Sequence, residues 1–295
     1  MKTLKNYFPN YILTVILVFA ISGLSLFSLI SGCLLSPSFY ISSVEKHNIY
    51  QRVTDYTEDY FEKNYAVSSI PSEIYMNGLD EKIVKQAVDQ KINSFFDYIN
   101  GKTDKIEETE IDFSQLEENI TSFFNEFANE NNVELNDEFK KQLDKTIKAA
   151  ETDISSFTNI FMLDYMEKAG IPQKIRKIYP FVTPAFYAFI AVTAICVILL
   201  ILLNKKEIKS FLYWLSVSGL CSSVIMLIPC IMLKSSDYFS RLIMRTDYIY
   251  FAVTGLLNDT VDSFMNIQLV ILAASAFIMI LYIIAAAVSG RKEKN

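Results

Sequence analysis

More than half of this 295-residue chain is hydrophobic (52%), yet the chain also carries a formal net charge of −6. A soluble globular protein is usually about 45–50% apolar, with its apolar residues spread along the sequence. The excess here is concentrated in uncharged blocks, which excludes an ordinary soluble domain, and the negative charge argues against a nucleic-acid partner.

Four blocks lack any Asp, Glu, Lys, Arg or His, and each is long enough to cross about 30 Å of hydrocarbon as a helix of about 20 residues. They predict four transmembrane helices, at residues 11–35, 179–203, 211–233 and 264–289. The remaining segments are then two termini, a short loop and two longer connections: residues 1–10, 36–178, 204–210, 234–263 and 290–295.

The basic residues of the short segments indicate the orientation, because Lys and Arg in short loops favour the cytoplasmic side. Four spans place segments 1–10, 204–210 and 290–295 on the same side of the membrane. These segments contain eight basic residues: Lys2, Lys5, Lys205, Lys206, Lys209, Arg291, Lys292 and Lys294. Lys174, Arg176 and Lys177 stand on the other side, although long translocated domains tolerate such charge. We therefore predict a multi-pass plasma-membrane protein with cytoplasmic N- and C-termini and an extracytoplasmic segment 36–178.

Segment 36–178 carries 27 acidic and 16 basic residues, a net charge of −11. It contains no cysteine, so it has neither disulfides nor a thiolate metal site and must be held together by packing. Its acidic character has two interpretations, a solvated surface or a docking face for a basic partner or for cations. The Lys, Asn, Ile and Tyr bias of the whole chain is typical of an AT-rich, bacterial genome.

Helix signals recur along this segment, and strand signals are scarce. Asp80 is a candidate N-cap, Ser114 and Glu117 form a candidate capping box, and Asn136 or Asp137 opens a third helix that Gly170 and Pro172 end. A further helix is predicted over residues 44–65. The predicted fold is an all-α membrane protein, with four transmembrane helices and an extracytoplasmic helical-bundle domain inserted between helices 1 and 2.

Two other regions have readable patterns. Segment 234–263 is amphipathic, which fits either a helix at the membrane interface or one packed under the large domain. The predicted spans are rich in Gly, Ala and Ser, which favours a compact bundle because small residues let helices approach closely.

The sequence predicts no catalytic set, cofactor or metal site. His47 is the single histidine and is predicted to lie on the surface, and there is no P-loop or dinucleotide glycine pattern. Ile30-Ser-Gly-Cys33 resembles the bacterial lipobox, a resemblance that implies cleavage before Cys33 and a lipid anchor there. The apolar run before it is nearer a full span than a signal-peptide core, which favours a retained helix.

The leading functional hypothesis is a non-enzymatic integral membrane protein whose acidic helical domain binds a protein partner outside the membrane. The layout is also similar to that of MacB and cell-division permease-like proteins, and that resemblance implies a transport subunit working with an ATPase docked between spans two and three. Here that segment comprises residues 204–210. A third possibility is an interfacial enzyme acting on lipid or wall precursors.

Overall fold

The computed structural model describes residues 7–107 and 109–292, with side chains as far as Val288, and it contains no strand within those ranges. The all-α fold is thus confirmed. Four helices are long and apolar enough to cross a membrane: Tyr7–Leu34, Ile171–Leu203, Ile208–Ser235 and Asp247–Val288. Of the residues used to predict orientation, Lys2, Lys5 and Lys294, and the side chains of Arg291 and Lys292, lie outside the described part.

Eleven α-helices follow one another within the described ranges. They are α1 (Tyr7–Leu29), α2 (Pro37–Lys46), α3 (Ile49–Ser68), α4 (Ser72–Met76), α5 (Glu81–Ile99), α6 (Ser114–Asn131), α7 (Asp137–Phe157), α8 (Leu163–Lys168), α9 (Ile171–Leu203), α10 (Ile208–Ser235) and α11 (Asp247–Lys292). A π-helical turn, Ile30–Leu34, continues α1, and a 3₁₀ turn, Tyr238–Arg241, follows α10.

The chain divides into two compact units. We call the first the apolar unit; it comprises Met1–Ser36, Ile178–Arg241 and Leu257–Asn295. The second, the acidic domain, comprises Pro37–Lys177 and Leu242–Leu256.

Small side chains make the closest helix contacts of the apolar unit. A Cβ added to Gly219 on α10 would overlap the side chain of Ser275 on α11, so glycine is needed for the two helices to approach this closely. The hydroxyls of Ser22 on α1 and Ser222 on α10 are 2.9 Å apart and share a hydrogen bond. Such contacts suit lipid, where no hydrophobic effect drives helices together and close approach must supply the attraction.

Large side chains hold the acidic domain together. The rings of Phe61 and Tyr75 stack with centroids 3.9 Å apart. Tyr56 and Tyr60 of α3 both meet the edge of Phe157 at the end of α7, at 5.1 Å and 5.0 Å. The aliphatic part of this core is fully buried: Ile49, Val53, Val88, Ile92, Leu116, Ile120 and Ile154.

The beginning of α11 belongs to the acidic domain. The Tyr248 ring lies 4.9 Å from that of Tyr56, and the Arg52 guanidinium lies 3.9 Å above the Phe251 ring. Of the two interpretations of the amphipathic segment 234–263, these contacts match packing with the large domain for the residues that open α11.

Helix ends agree with the predicted caps in two cases out of three. The carboxylate of Asp80 accepts a hydrogen bond from the Ile83 amide at 2.8 Å, and the Asn136 side chain accepts one from the Phe139 amide at 3.0 Å. The predicted capping box at Ser114 is wrong. Ser114 is already the first helical residue, and its own amide donates to Asp112 at 3.0 Å instead.

Two predicted helices have different bounds. The helix expected over residues 44–65 is two helices, because Asn48 adopts a left-handed conformation (φ 53°) between α2 and α3. Pro172 does not end the third helix. It lies in the first turn of α9, where its missing amide hydrogen costs nothing because first-turn amides have no intrahelical acceptor.

Candidate functional site

The turn between α6 and α7 is ordered by its own backbone and caps. Asn132 takes the left-handed conformation (φ 52°) that ends α6, and the Val133 amide reaches back to the Ala128 carbonyl at 2.9 Å. Four residues later Asn136 caps α7. Behind the turn, the Phe124 and Phe139 rings meet at 5.9 Å. We call residues 126–138 the hairpin tip.

The hairpin tip exposes apolar side chains that the rest of the domain does not cover. Phe127 is 51% exposed, Val133 43% and Leu135 52%. Single exposed apolar residues are ordinary on protein surfaces, but three within nine residues of a well-ordered turn form a local apolar group.

Carboxylates surround this apolar group. Every acidic residue of the hairpin tip is exposed: Glu126, Glu130, Glu134, Asp137 and Glu138. The wider segment 106–139 carries 11 acidic residues and no Lys, Arg or His. The acidic excess of the domain is therefore concentrated on this side of α6 and the adjoining turn, so its potential is one-signed.

A shallow cleft between α3 and α7 is a second feature of the acidic domain. Its volume is about 270 Å³, and it is lined in part by Tyr60, Tyr75, Lys145 and Asp153. The Tyr60 hydroxyl donates to the Asp153 carboxylate at 3.0 Å, and burial, followed by that carboxylate, raises the pKa of Tyr60. This hydrogen bond links α3 to α7.

A polar network ties α2, α3 and α5 together. The Tyr50 hydroxyl donates to Asp89 at 2.5 Å, and the Lys85 ammonium bonds to Glu45 at 2.5 Å and lies 3.4 Å from Asp89. Burial, with Asp89 next, raises the pKa of Tyr50 well above its usual value. All four side chains are paired with one another, so the network is structural.

The apolar unit contains a buried amide side chain that the sequence analysis did not single out. Gln268 of α11 is fully buried, and neither its amide oxygen nor its amide nitrogen has a hydrogen-bond partner among the described residues. A search for charged residues passes over an uncharged amide. The sequence did contain the signal, because a glutamine within a predicted transmembrane helix needs a hydrogen-bond partner away from water.

The structure places Cys33 in the π-helical turn after α1, half-buried beside the cluster of Leu29, Cys230, Val261 and Phe264. Its lipidation stays a prediction. His47, which the sequence predicts to lie on the surface, is partly covered. It is half-buried, and a Cβ on Gly255 would lie 2.6 Å from its ring, so the histidine packs against the α11 backbone.

Within the part of the chain that the structure describes, no group of three or more His, Cys, Asp or Glu side chains converges in a way that could hold a metal ion. No protein-family model, curated protein or solved structure matches this chain. Functional inference therefore depends on the chain's own geometry.

Proposed function

We propose that this chain is a non-enzymatic, multi-pass plasma-membrane protein that uses the hairpin tip of its acidic domain to bind a protein partner outside the cell. The proposed partner presents an apolar centre surrounded by Lys or Arg. The observation that carries the proposal is the ordered, exposed apolar group of Phe127, Val133 and Leu135 within a segment that has no positive charge.

Charge complementarity supports this choice of partner. Carboxylates around an interface speed association with a basic partner and reject acidic ones, while a desolvated apolar centre supplies most of the binding energy. An anionic membrane surface is disfavoured by the same charges. Exposed Phe and Leu at the end of a rigid turn cost little conformational entropy on binding.

The proposal also includes the side of the membrane on which the acidic domain lies. With both termini cytoplasmic, the connection between the first two apolar helices is outside, which is where the acidic domain is proposed to lie. The opposite connection is short, since α9 ends at Leu203 and α10 begins at Ile208.

The test is site-specific photocrosslinking in living cells. A photoreactive residue at Val133 should trap one protein, whereas the same residue at Gln86, exposed on α5, should not. The double variant Glu130→Lys/Glu134→Lys should abolish the crosslink. The matched pair Glu58→Lys/Glu62→Lys makes the same change in charge on α3 and should leave it intact.

No crosslink at Val133, together with transport activity of the purified protein or its co-purification with an ATPase, would overturn the proposal in favour of the transport alternative. A crosslink that persists in the Glu130→Lys/Glu134→Lys variant would show that the carboxylates of the hairpin tip do not select the partner.

A further inference from the structure

The apolar unit has a cleft at the end where α9 turns into α10. Its volume is about 710 Å³, and it is lined by the first residues of α1, the turn Asn204–Glu207, the start of α10 and the end of α11. We call it the lysine cleft, because Lys205, Lys206 and Lys209 all line it.

The base of the lysine cleft is rigid. Asn10 of α1 and Asn204 of the turn exchange two side-chain hydrogen bonds, at 3.0 Å and 2.9 Å, and both are almost fully buried. Asn204 also donates to the Leu200 carbonyl at 2.8 Å. Reciprocal amide bonds between two elements leave neither amide unsatisfied, so the turn that carries the lysines is held against α1.

None of the three lysines forms an ion pair with a residue that the structure describes, and Glu207 is the one carboxylate among the lining residues.

Aromatic residues line the other side of the lysine cleft. The Trp214 ring meets Tyr7 at 5.2 Å and Tyr213 at 5.3 Å, and Tyr213 meets Tyr282 at 5.3 Å. Trp and Tyr are enriched at the depth of lipid headgroups, where one end of the ring is apolar and the other is wet. The cleft therefore combines a cationic rim with an aromatic wall at one end of four apolar helices.

We propose that the lysine cleft binds the phosphate of an anionic phospholipid headgroup, with the acyl chains alongside the apolar helices. Soluble phosphate would need the cations alone. A lipid also uses the aromatic wall and the apolar side chains that continue from it, Leu202 and Ala286. Basic pockets between transmembrane helices are known to suit such headgroups. This inference does not depend on a partner for the acidic domain.

Trp214 makes the test site-specific, because it is the single tryptophan of the chain and it lines the cleft. The full-length protein is reconstituted with mixtures of phosphatidylglycerol and phosphatidylcholine, and in each experiment one of the two carries bromine on its acyl chains as a quencher. Brominated phosphatidylglycerol should quench Trp214 at lower mole fraction than brominated phosphatidylcholine.

The variant Lys205→Gln/Lys206→Gln/Lys209→Gln should lower the preference for phosphatidylglycerol by roughly five-fold for each lysine removed, since each lysine near the surface contributes about 1 kcal/mol. The matched variant Lys140→Gln/Lys141→Gln/Lys145→Gln changes three lysines of α7 and should keep the preference. Lys205→Arg/Lys206→Arg/Lys209→Arg should keep it too, which controls for damage to the fold.

Equal quenching by the two brominated lipids would overturn the proposal, as would a preference that persists in the glutamine variant. Competition by millimolar inorganic phosphate would also overturn it, because the site would then hold soluble phosphate in place of lipid.

Discussion

The two units of this chain differ in the closest contacts between their helices. The acidic domain fills its interior with stacked and edge-on aromatic rings, whereas the apolar unit brings helices together over Gly219 and paired serines. In water, large apolar side chains gain most from burial. In lipid that gain vanishes, and close contact of small residues with hydroxyl bonds replaces it. The two units should therefore differ in the changes of side-chain size to which they are most sensitive.

Removing a large side chain should damage the acidic domain most. Phe61→Ala empties a buried position stacked on Tyr75, and a loss of about 3–5 kcal/mol in the free energy of unfolding is expected. Thermal unfolding followed by circular dichroism measures it. Phe127→Ala, at the exposed hairpin tip, is the control and should change stability by less than about 0.5 kcal/mol. Equal losses in the two variants would contradict an aromatic core.

Adding a large side chain should damage the apolar unit next. Gly219→Leu forces α10 away from Ser275, with an expected loss of about 1–3 kcal/mol. Gly32→Leu is the matched control, because nothing lies within 4 Å of its Cβ position. Trp214 emission during denaturation in mixed micelles reports on this unit alone, since it holds the single tryptophan. Insensitivity of Gly219 to leucine would show that the small-residue contact is not tight.

Sequence reasoning succeeded where one physical rule dominates. The four apolar helices follow from length and the absence of charge, and the Asp80 and Asn136 caps follow from local chemistry. It failed at Ser114 because Asp112, two residues earlier, competes for the same amide. It also missed the hairpin tip, because net charge was counted over the whole of segment 36–178. That count does not show that segment 106–139 lacks Lys, Arg and His.

Gln268 tests whether an uncharged polar group is harmful inside the apolar unit. Gln268→Leu keeps a similar volume and removes two amide atoms that lack partners among the described residues, so a gain of about 1–2 kcal/mol is expected. The same Trp214 assay measures it, with Gln90→Leu on exposed α5 as a control that should have no effect on this unit. A loss of stability in Gln268→Leu would contradict this expectation.

The smallest expected effect concerns pH. Burial, and then the Glu117 carboxyl of α6, raises the pKa of Glu151 on α7. Because the folded form binds this proton more tightly, the resulting stability is full below the unfolded pKa and is lost as pH rises through the raised value. Glu151→Gln should flatten that slope and stabilise the domain near pH 7 by at most about 0.5 kcal/mol. Glu118→Gln is the control and should leave the pH dependence of stability unchanged. An unchanged pH dependence in Glu151→Gln would show that the Glu151 carboxyl does not contribute to it.

The most direct test of the central claim is labelling of single cysteines in intact cells with a membrane-impermeant maleimide. The proposal that it tests is that segment 36–178 is extracytoplasmic and that the connection 204–210 is cytoplasmic. In a variant whose four native cysteines are replaced by serine, Asn129→Cys should react in intact cells, and Lys205→Cys should react after the membrane is permeabilised and not before. Labelling of Lys205→Cys in intact cells, with Asn129→Cys protected, would contradict the account.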